Sequence, residues 1–132
     1  MKTIYLAGPI KDISLKEAGT WRNIATKKLD GFKCLNPLRR NFRDCEFQSQ
    51  NEIVQLDKND IERSDILLVN ASKPSAGTSM EILFAHDRNK IIVSYTNDDF
   101  EKTSPWVVYH STRIVKGLDE AIEYIKNQLE DW

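Results

Sequence analysis

Five short apolar runs punctuate this chain, and between them lie segments whose apolar residues recur every three to four positions. The runs are Thr3–Ala7, Phe32–Leu35, Asp65–Val69, Lys90–Tyr95 and Arg113–Val115. That alternation constrains the fold strongly. Strands separated by helix-length segments pair in parallel, because a parallel pair needs a long crossover that covers one face of the sheet. Right-handed crossovers then favour a doubly wound strand order such as 2-1-3-4-5. A chain of 132 residues is enough for one such core and not for two. The expected architecture is a single-domain α/β fold over 1–132, Rossmann- or flavodoxin-like, with a mostly parallel five-stranded sheet flanked by helices.

The helical segments carry their own punctuation. Ser14-Leu15-Lys16-Glu17 is a capping box that opens a helix to about Leu29, with Ala18, Trp21, Ala25 and Leu29 at helical spacing. Gly31 ends it. From Asn51 to Ser64, Ile53, Val54, Leu56 and Ile61 form one stripe, and Asp57 and Asp60 fall inside it. A carboxylate on an inward face must be paired, hydrogen-bonded or functional. Leu38 to Gln50 is irregular and carries Arg39, Arg40 and Arg43, either as a solvated loop or as a flap that offers an arginine to an anion. Asn97 to Pro105 reads as a loop leading into Trp106, and Leu118, Ala121, Ile122, Ile125 and Leu129 form the apolar face of a closing helix.

The stretch Ser75-Ala76-Gly77-Thr78-Ser79-Met80-Glu81 stands between the third strand and its helix. Strand, small-residue turn and helix start build the ligand site of an open α/β sheet. Gly77 allows close approach of the backbone, the hydroxyls and first amides are donors, and Glu81 is expected in the first helical turn. Two readings of Glu81 stand side by side. Thr78-x-x-Glu81 fits a capping box. Alternatively, Glu81 is a nucleophile or general base kept ionised by the helix dipole. Strand order 2-1-3-4-5 makes strands 1 and 3 neighbours at the switch point, so the Gly8-Pro9 turn meets this loop and Tyr5 approaches Glu81.

Composition removes several function classes. With 19 basic and 20 acidic side chains the net charge is −1, without the basic excess expected of a protein that binds polymeric nucleic acid. Cys34, Cys45, His86 and His110 lack metal-ligand spacing, so neither a metal nor another cofactor is expected. Met1-Lys2-Thr3 leads directly into a strand, no apolar run is of membrane-spanning length, and free thiols suit a reducing cytoplasm. The glycine signatures of P-loop, dinucleotide and serine-hydrolase sites are absent from the sequence. A carboxylate nucleophile with a second inward carboxylate suits substitution at a sugar anomeric carbon.

Tyr5-Leu6-Ala7-Gly8-Pro9, Leu35-Asn36-Pro37, Asp60, Ser64-Asp65 and the Gly77-Thr78-Ser79-Met80-Glu81 helix start together resemble the nucleoside 2-deoxyribosyltransferase family, which includes deoxynucleoside 5′-monophosphate N-glycosidases. The resemblance runs from Thr3 to about Val93 and more weakly through Ser104-Pro105-Trp106. It implies that Glu81 attacks C1′ of a small nucleoside or nucleotide, that Tyr5 orients Glu81, and that Asp60 contacts sugar or base. It also implies substrate contacts from the loop Gly8-Pro9-Ile10-Lys11 and from Ser75, Gly77 and Thr78. Ser75 stands where transferases of free nucleosides commonly carry an aspartate, and with Lys11 and Ser104 it resembles the phosphate ligands of the nucleotide hydrolases. Ser104 would come from a neighbouring subunit of a homodimer or larger homo-oligomer, with Trp106, Val107, Val108 and Tyr109 either in its interface or in the core. A nucleotide-binding sensor without catalysis and a partner-binding module in which Glu81 is only a cap are the competing readings.

Overall fold

The computed structural model describes residues 1–130. Its strands are β1 (Thr3–Ala7), β2 (Lys33–Leu35), β3 (Ile66–Asn70), β4 (Ile91–Thr96) and β5 (Arg113–Lys116). Helices α1 (Leu15–Lys28), α2 (Gln50–Arg63), α3 (Ala76–Asp87), α4 (Pro105–His110) and α5 (Gly117–Gln128) connect and close them. All strand pairs are parallel and the order is β2-β1-β3-β4-β5. The doubly wound sheet expected from the alternation is the fold that forms.

Period-two alternation in the strands divides the core between two faces. Ile4, Leu6, Ile66, Leu68, Val93 and Tyr95 pack under α1 and α5, against Trp21, Ala25, Ile122 and Ile125. Tyr5, Ala7, Leu67, Val69 and Ile92 pack on the other face with Ile61 of α2 and Ile82 and Ala85 of α3. Tyr5 is thereby turned toward α2 and α3, which determines the composition of the site.

β1 is paired on both sides, but unequally. Its β3 ladder runs from Ile4 to Ala7, while its β2 ladder ends at Tyr5–Leu35. Lys33 N–H bonds to the carbonyl of Lys2 at 2.9 Å. Continued in steps of two, that ladder would bring residue 37 opposite the Leu6 carbonyl, and residue 37 is proline, which has no N–H. Pro37 instead opens a 3-10 turn, Pro37–Arg39, behind an Asn36 cap whose Oδ1 accepts from Leu38 N–H. The β2 side of the β1 carboxyl end is left open for other partners.

Two elements depart from the sequence expectation. Ser75 caps α3, accepting from Thr78 N–H at 3.2 Å, so the helix starts at Ala76 and Thr78 is not its cap. The Thr78-x-x-Glu81 capping box does not form, because Ser75 already occupies the extended position from which an N-cap reaches the third amide. Glu81 lies in the second turn, not the first. The segment expected as a loop around Ser104-Pro105-Trp106 continues into α4, with Ser104 as cap and Pro105 at the first position, where its missing N–H is harmless. The Ser14 box does form, with Glu17 N–H on Ser14 Oγ.

Gly8 ends β1 where a side chain has no room. A Cβ built there would meet Trp21 Cζ2 at 2.7 Å and Asn70 Cβ at 3.2 Å. Trp21 is buried and rigid, so the added methyl cannot be absorbed at a flexible tip. Gly8→Ala is expected to destabilise the fold by about 1–3 kcal/mol in urea denaturation. A midpoint equal to wild type would show that the turn yields.

Candidate functional site at the switch point

β1 and β3 lie side by side while their following helices pack on opposite faces, which opens a crevice outside their carboxyl ends. A cleft of about 820 Å³ occupies it. Gly8, Ile10 and Lys11 line it from the β1–α1 loop, Ser75, Gly77 and Thr78 from the α3 start, and Asp57 and Ile61 from α2. Glu81 is on the same wall, and Leu38, Arg40 and Arg43 close the side beyond β2.

The central contact is short. The Tyr5 hydroxyl donates to Glu81 Oε2 at 2.6 Å, joining β1 to α3 across 76 positions of sequence. Burial and the Glu81 charge hold the Tyr5 phenol well above its ordinary range, so it remains a donor. Burial raises the Glu81 carboxyl to about 8, the charge of Asp57 adds to the rise, and the Tyr5 bond and Arg22 oppose it. The reading in which the helix dipole keeps Glu81 ionised is not favoured, since a carboxylate in the second turn gains less from the first amides than burial costs it.

The two aspartates of α2 part company. Asp60, 2% exposed, accepts from Arg39 Nη2 at 2.9 and 2.7 Å, Arg40 Nη2 at 2.9 Å and Arg63 Nη2 at 2.6 Å. Burial alone would raise its carboxyl, but these three arginines hold it below the ordinary range. Asp60 lies off the cleft. Asp57 faces it and accepts from Arg40 Nη2 at 3.1 Å. Burial raises Asp57 despite that bond, and the Asp60 charge adds to the rise.

The remaining expectations divide likewise. Gly8, Ile10, Lys11, Ser75, Gly77 and Thr78 meet at the cleft, whereas Pro9 is buried behind it. A Cβ on Gly77 would point into open space, so the glycine leaves room rather than permitting an unusual backbone. Thr78 Oγ1 is buried without a hydrogen-bond partner among the described residues. Lys11 is exposed beside Asp12 at 3.3 Å. Ser104 caps α4 away from the cleft. Arg39 and Arg40 do not form a free flap but fasten the Pro37 turn to α2, and Arg43 donates to the Ile13 carbonyl at 2.7 Å. Among the described residues no cluster of side chains could hold a metal ion, and no helix is long and apolar enough to cross a membrane.

Sequence reasoning overlooked Arg22. It sits four residues after Ala18 and three before Ala25, inside the apolar stripe of α1, and is fully buried. The same argument that singled out Asp57 and Asp60 applied to it.

A doubly wound α/β domain with a tyrosine-bonded carboxylate at its switch point is the class defined so far. The family model for nucleoside 2-deoxyribosyltransferase matches residues 4–121, and the chain belongs to that family. Among solved structures, a conserved protein from Enterococcus faecalis superposes with TM-score 0.78 at 19% identity, covering 98% of this chain and 99% of that one. The 2-deoxyribosyltransferase of Bacillus psychrosaccharolyticus gives 0.73 at 16% identity, over 92% and 91%. The CMP N-glycosidase BcmB of Clostridium botulinum gives 0.65 at 19% identity, over 97% and 100%. At these identities the structures establish a shared fold. No curated protein sequence gives a significant match.

A carboxyl raised by burial has a signature in stability. The unfolded chain releases the Glu81 proton near the ordinary glutamate value of 4.5, while the fold keeps it until about 8. Below the lower value both states are protonated, and the fold loses stability as the pH rises between the two. Glu81→Gln is expected to be more stable than wild type by on the order of 1–3 kcal/mol at pH 8, with little difference at pH 4. Equal differences at both pH values in urea denaturation would sink the buried-acid account.

Proposed function

We propose that this chain cleaves or transfers at the N-glycosidic bond of a nucleoside 5′-monophosphate, through a covalent glycosyl ester on Glu81. The observation that carries the reading is the 2.6 Å Tyr5–Glu81 bond on the wall of the switch-point cleft, beside the second carboxyl of Asp57. The ionised Glu81 attacks C1′, a C–O bond forms, and the C1′–N bond breaks as the base leaves. A proton must reach the departing base nitrogen. Asp57, raised by burial and facing the cleft, suits that donor better than Asp60, whose arginines keep it ionised. Water, or the N–H of a second base, then attacks C1′ from the vacated side and gives its proton to the Asp57 carboxylate, the ester C–O bond breaks to release Glu81, and configuration is retained. The Tyr5 hydroxyl holds Glu81 in line during both displacements. Asp60 shapes the site indirectly, by anchoring Arg40 beside Asp57.

A monophosphate is favoured by a cleft lining that includes Ser75, Gly77 and Thr78 at the α3 start and Lys11 of the β1–α1 loop, residue types suited to an anion. Ser104, off the chain's own cleft, would reach substrate only in a neighbouring subunit. The exposed apolar residues Trp106, Val108 and Tyr109 of α4 suit a homodimer contact. Trp106→Glu is expected to shift a dimer to monomer in sedimentation. A wild-type monomer at micromolar concentration would remove that assembly.

The decisive assay is a chromatographic time course on each deoxynucleoside and its 5′-monophosphate, with and without a second free base. Base release from monophosphates is the expected result, and exchange on free nucleosides would make the chain a transferase without a phosphate site. Glu81→Gln is expected to lose on the order of 10³-fold in kcat with the fold intact, and Tyr5→Phe about 10-fold. Retention of more than about a tenth of activity by Glu81→Gln would exclude the covalent role. Survival of every substrate would favour a nucleotide-binding sensor.

A further inference from the structure

Arg22 is a buried cation on the far side of β1 from the reacting carboxyl. Its Nε donates to the Leu6 carbonyl at 3.2 Å, Nη2 to the Gly8 carbonyl at 2.9 Å, and Nη1 to the Ala18 carbonyl at 2.9 Å. Its guanidinium carbon lies 4.7 Å from the centre of the Trp21 ring. The carbonyls of Leu6 in β1 and of Gly8 just after it face the β2 side, beyond the point where Pro37 ends that ladder. Arg22 therefore replaces the missing strand. Burial pushes its pKa down only to about 10, so it keeps its proton at neutral pH.

Satisfying two or three carbonyls does not require a charge. Among the described residues no carboxylate forms an ion pair with Arg22, and an isolated buried charge is costly unless it has a counter-charge. A negative charge arises across one strand when Glu81 gives up its proton. Tyr5 precedes Leu6, points to the opposite face and holds Glu81. The β1 backbone lies between the guanidinium and the Tyr5–Glu81 pair; Arg22 and Tyr5 are fully buried, while Glu81 reaches the cleft, so the attraction is weakly screened on the strand side only. Attraction between Arg22 and Glu81 stabilises the charge on both.

We propose that Arg22 is a positioning residue for the reaction: it shapes the carboxyl end of β1 that aims the Tyr5 hydroxyl, and its fixed positive charge makes the ionised, nucleophilic state of Glu81 accessible. The inference rests on Glu81 as the reacting carboxylate. The charged and titratable groups around Glu81 are Tyr5, bonded to it from β1, Asp57, Lys11 and Arg40 on the cleft lining, Asp60 farther back on α2 and Arg22 from α1 beneath β1. Of these, Asp57 and Asp60 disfavour ionisation, and Arg22 is the cation that offsets them from beneath the strand.

The test is the titration of the Glu81 side-chain carbonyl carbon by ¹³C NMR in glutamate-labelled protein, with the resonance assigned by its loss in Glu81→Gln. Arg22→Gln keeps donors and removes the charge, Arg22→Met removes both, and Arg22→Lys keeps the charge. The neutral variants are expected to titrate about one pH unit higher than wild type, and Arg22→Lys to keep most of the wild-type value. The acid limb of kcat is expected to move by the same amount with KM little changed. An unmoved Glu81 titration in Arg22→Gln overturns the proposal, as does failure of both neutral variants to fold while Arg22→Lys folds, because the role would then be structural. The NMR titration needs no substrate. If wild type released no base, the functional reading would fall while the titration still decided whether Arg22 tunes Glu81.

Discussion

The pairing of β1 on both sides, and its interruption at Pro37, is the constraint from which the rest of the site follows. A parallel ladder stops where a residue without an N–H meets a carbonyl that needs one. That stop frees the β2 side of the β1 carboxyl end, turns the chain outward through Pro37–Arg39, and leaves the Leu6 and Gly8 carbonyls for Arg22. The arginines that follow Pro37 then fasten to Asp60 rather than wandering over the cleft. One proline thus helps to separate a structural carboxylate from the two that face the ligand space.

The site itself is expensive to the fold. The Asp57 charge disfavours ionisation of Glu81, and burial raises both carboxyls. A carboxyl that holds its proton to about 8 is a poor surface residue and a poor cap, and a shift of that kind in a cleft is a common mark of a functional site. Opposing charges and donors limit how far the shift runs: Tyr5 bonds to it directly, and Arg22 acts through the strand. Such tension at an enclosed cleft is where stability is commonly given up for chemistry.

Membership of the nucleoside 2-deoxyribosyltransferase family and the structures that share this fold place the chain among proteins of related architecture, while details of chemistry depend on its own side chains. Here those details are the serine at position 75, the lysine at 11 and the three arginines around Asp60. The exposed aromatic face of α4 is a further feature of this chain. Trp106 is 69% and Tyr109 77% exposed, so the core reading of these two residues does not hold, while Val107 is buried.

Sequence alone determined the strand and helix alternation, the parallel order, the approach of Tyr5 to Glu81 and the Ser14 cap, because each depends on local periodicity or on the handedness of crossovers. It also showed that Asp57 and Asp60 point inward. It did not say which of the two faces the cleft, since both lie in one helical stripe and only the arginines Arg39, Arg40 and Arg63 around Asp60 distinguish them. The Thr78 box failed for a similar reason. Ser75 and Thr78 are both good caps, and the choice depended on where β3 released the chain. That Glu81 is bonded to Tyr5 rather than closing a capping box, and that Arg22 lies beneath β1, were decided by tertiary structure, because the environment of a charge is made by residues far away in the chain.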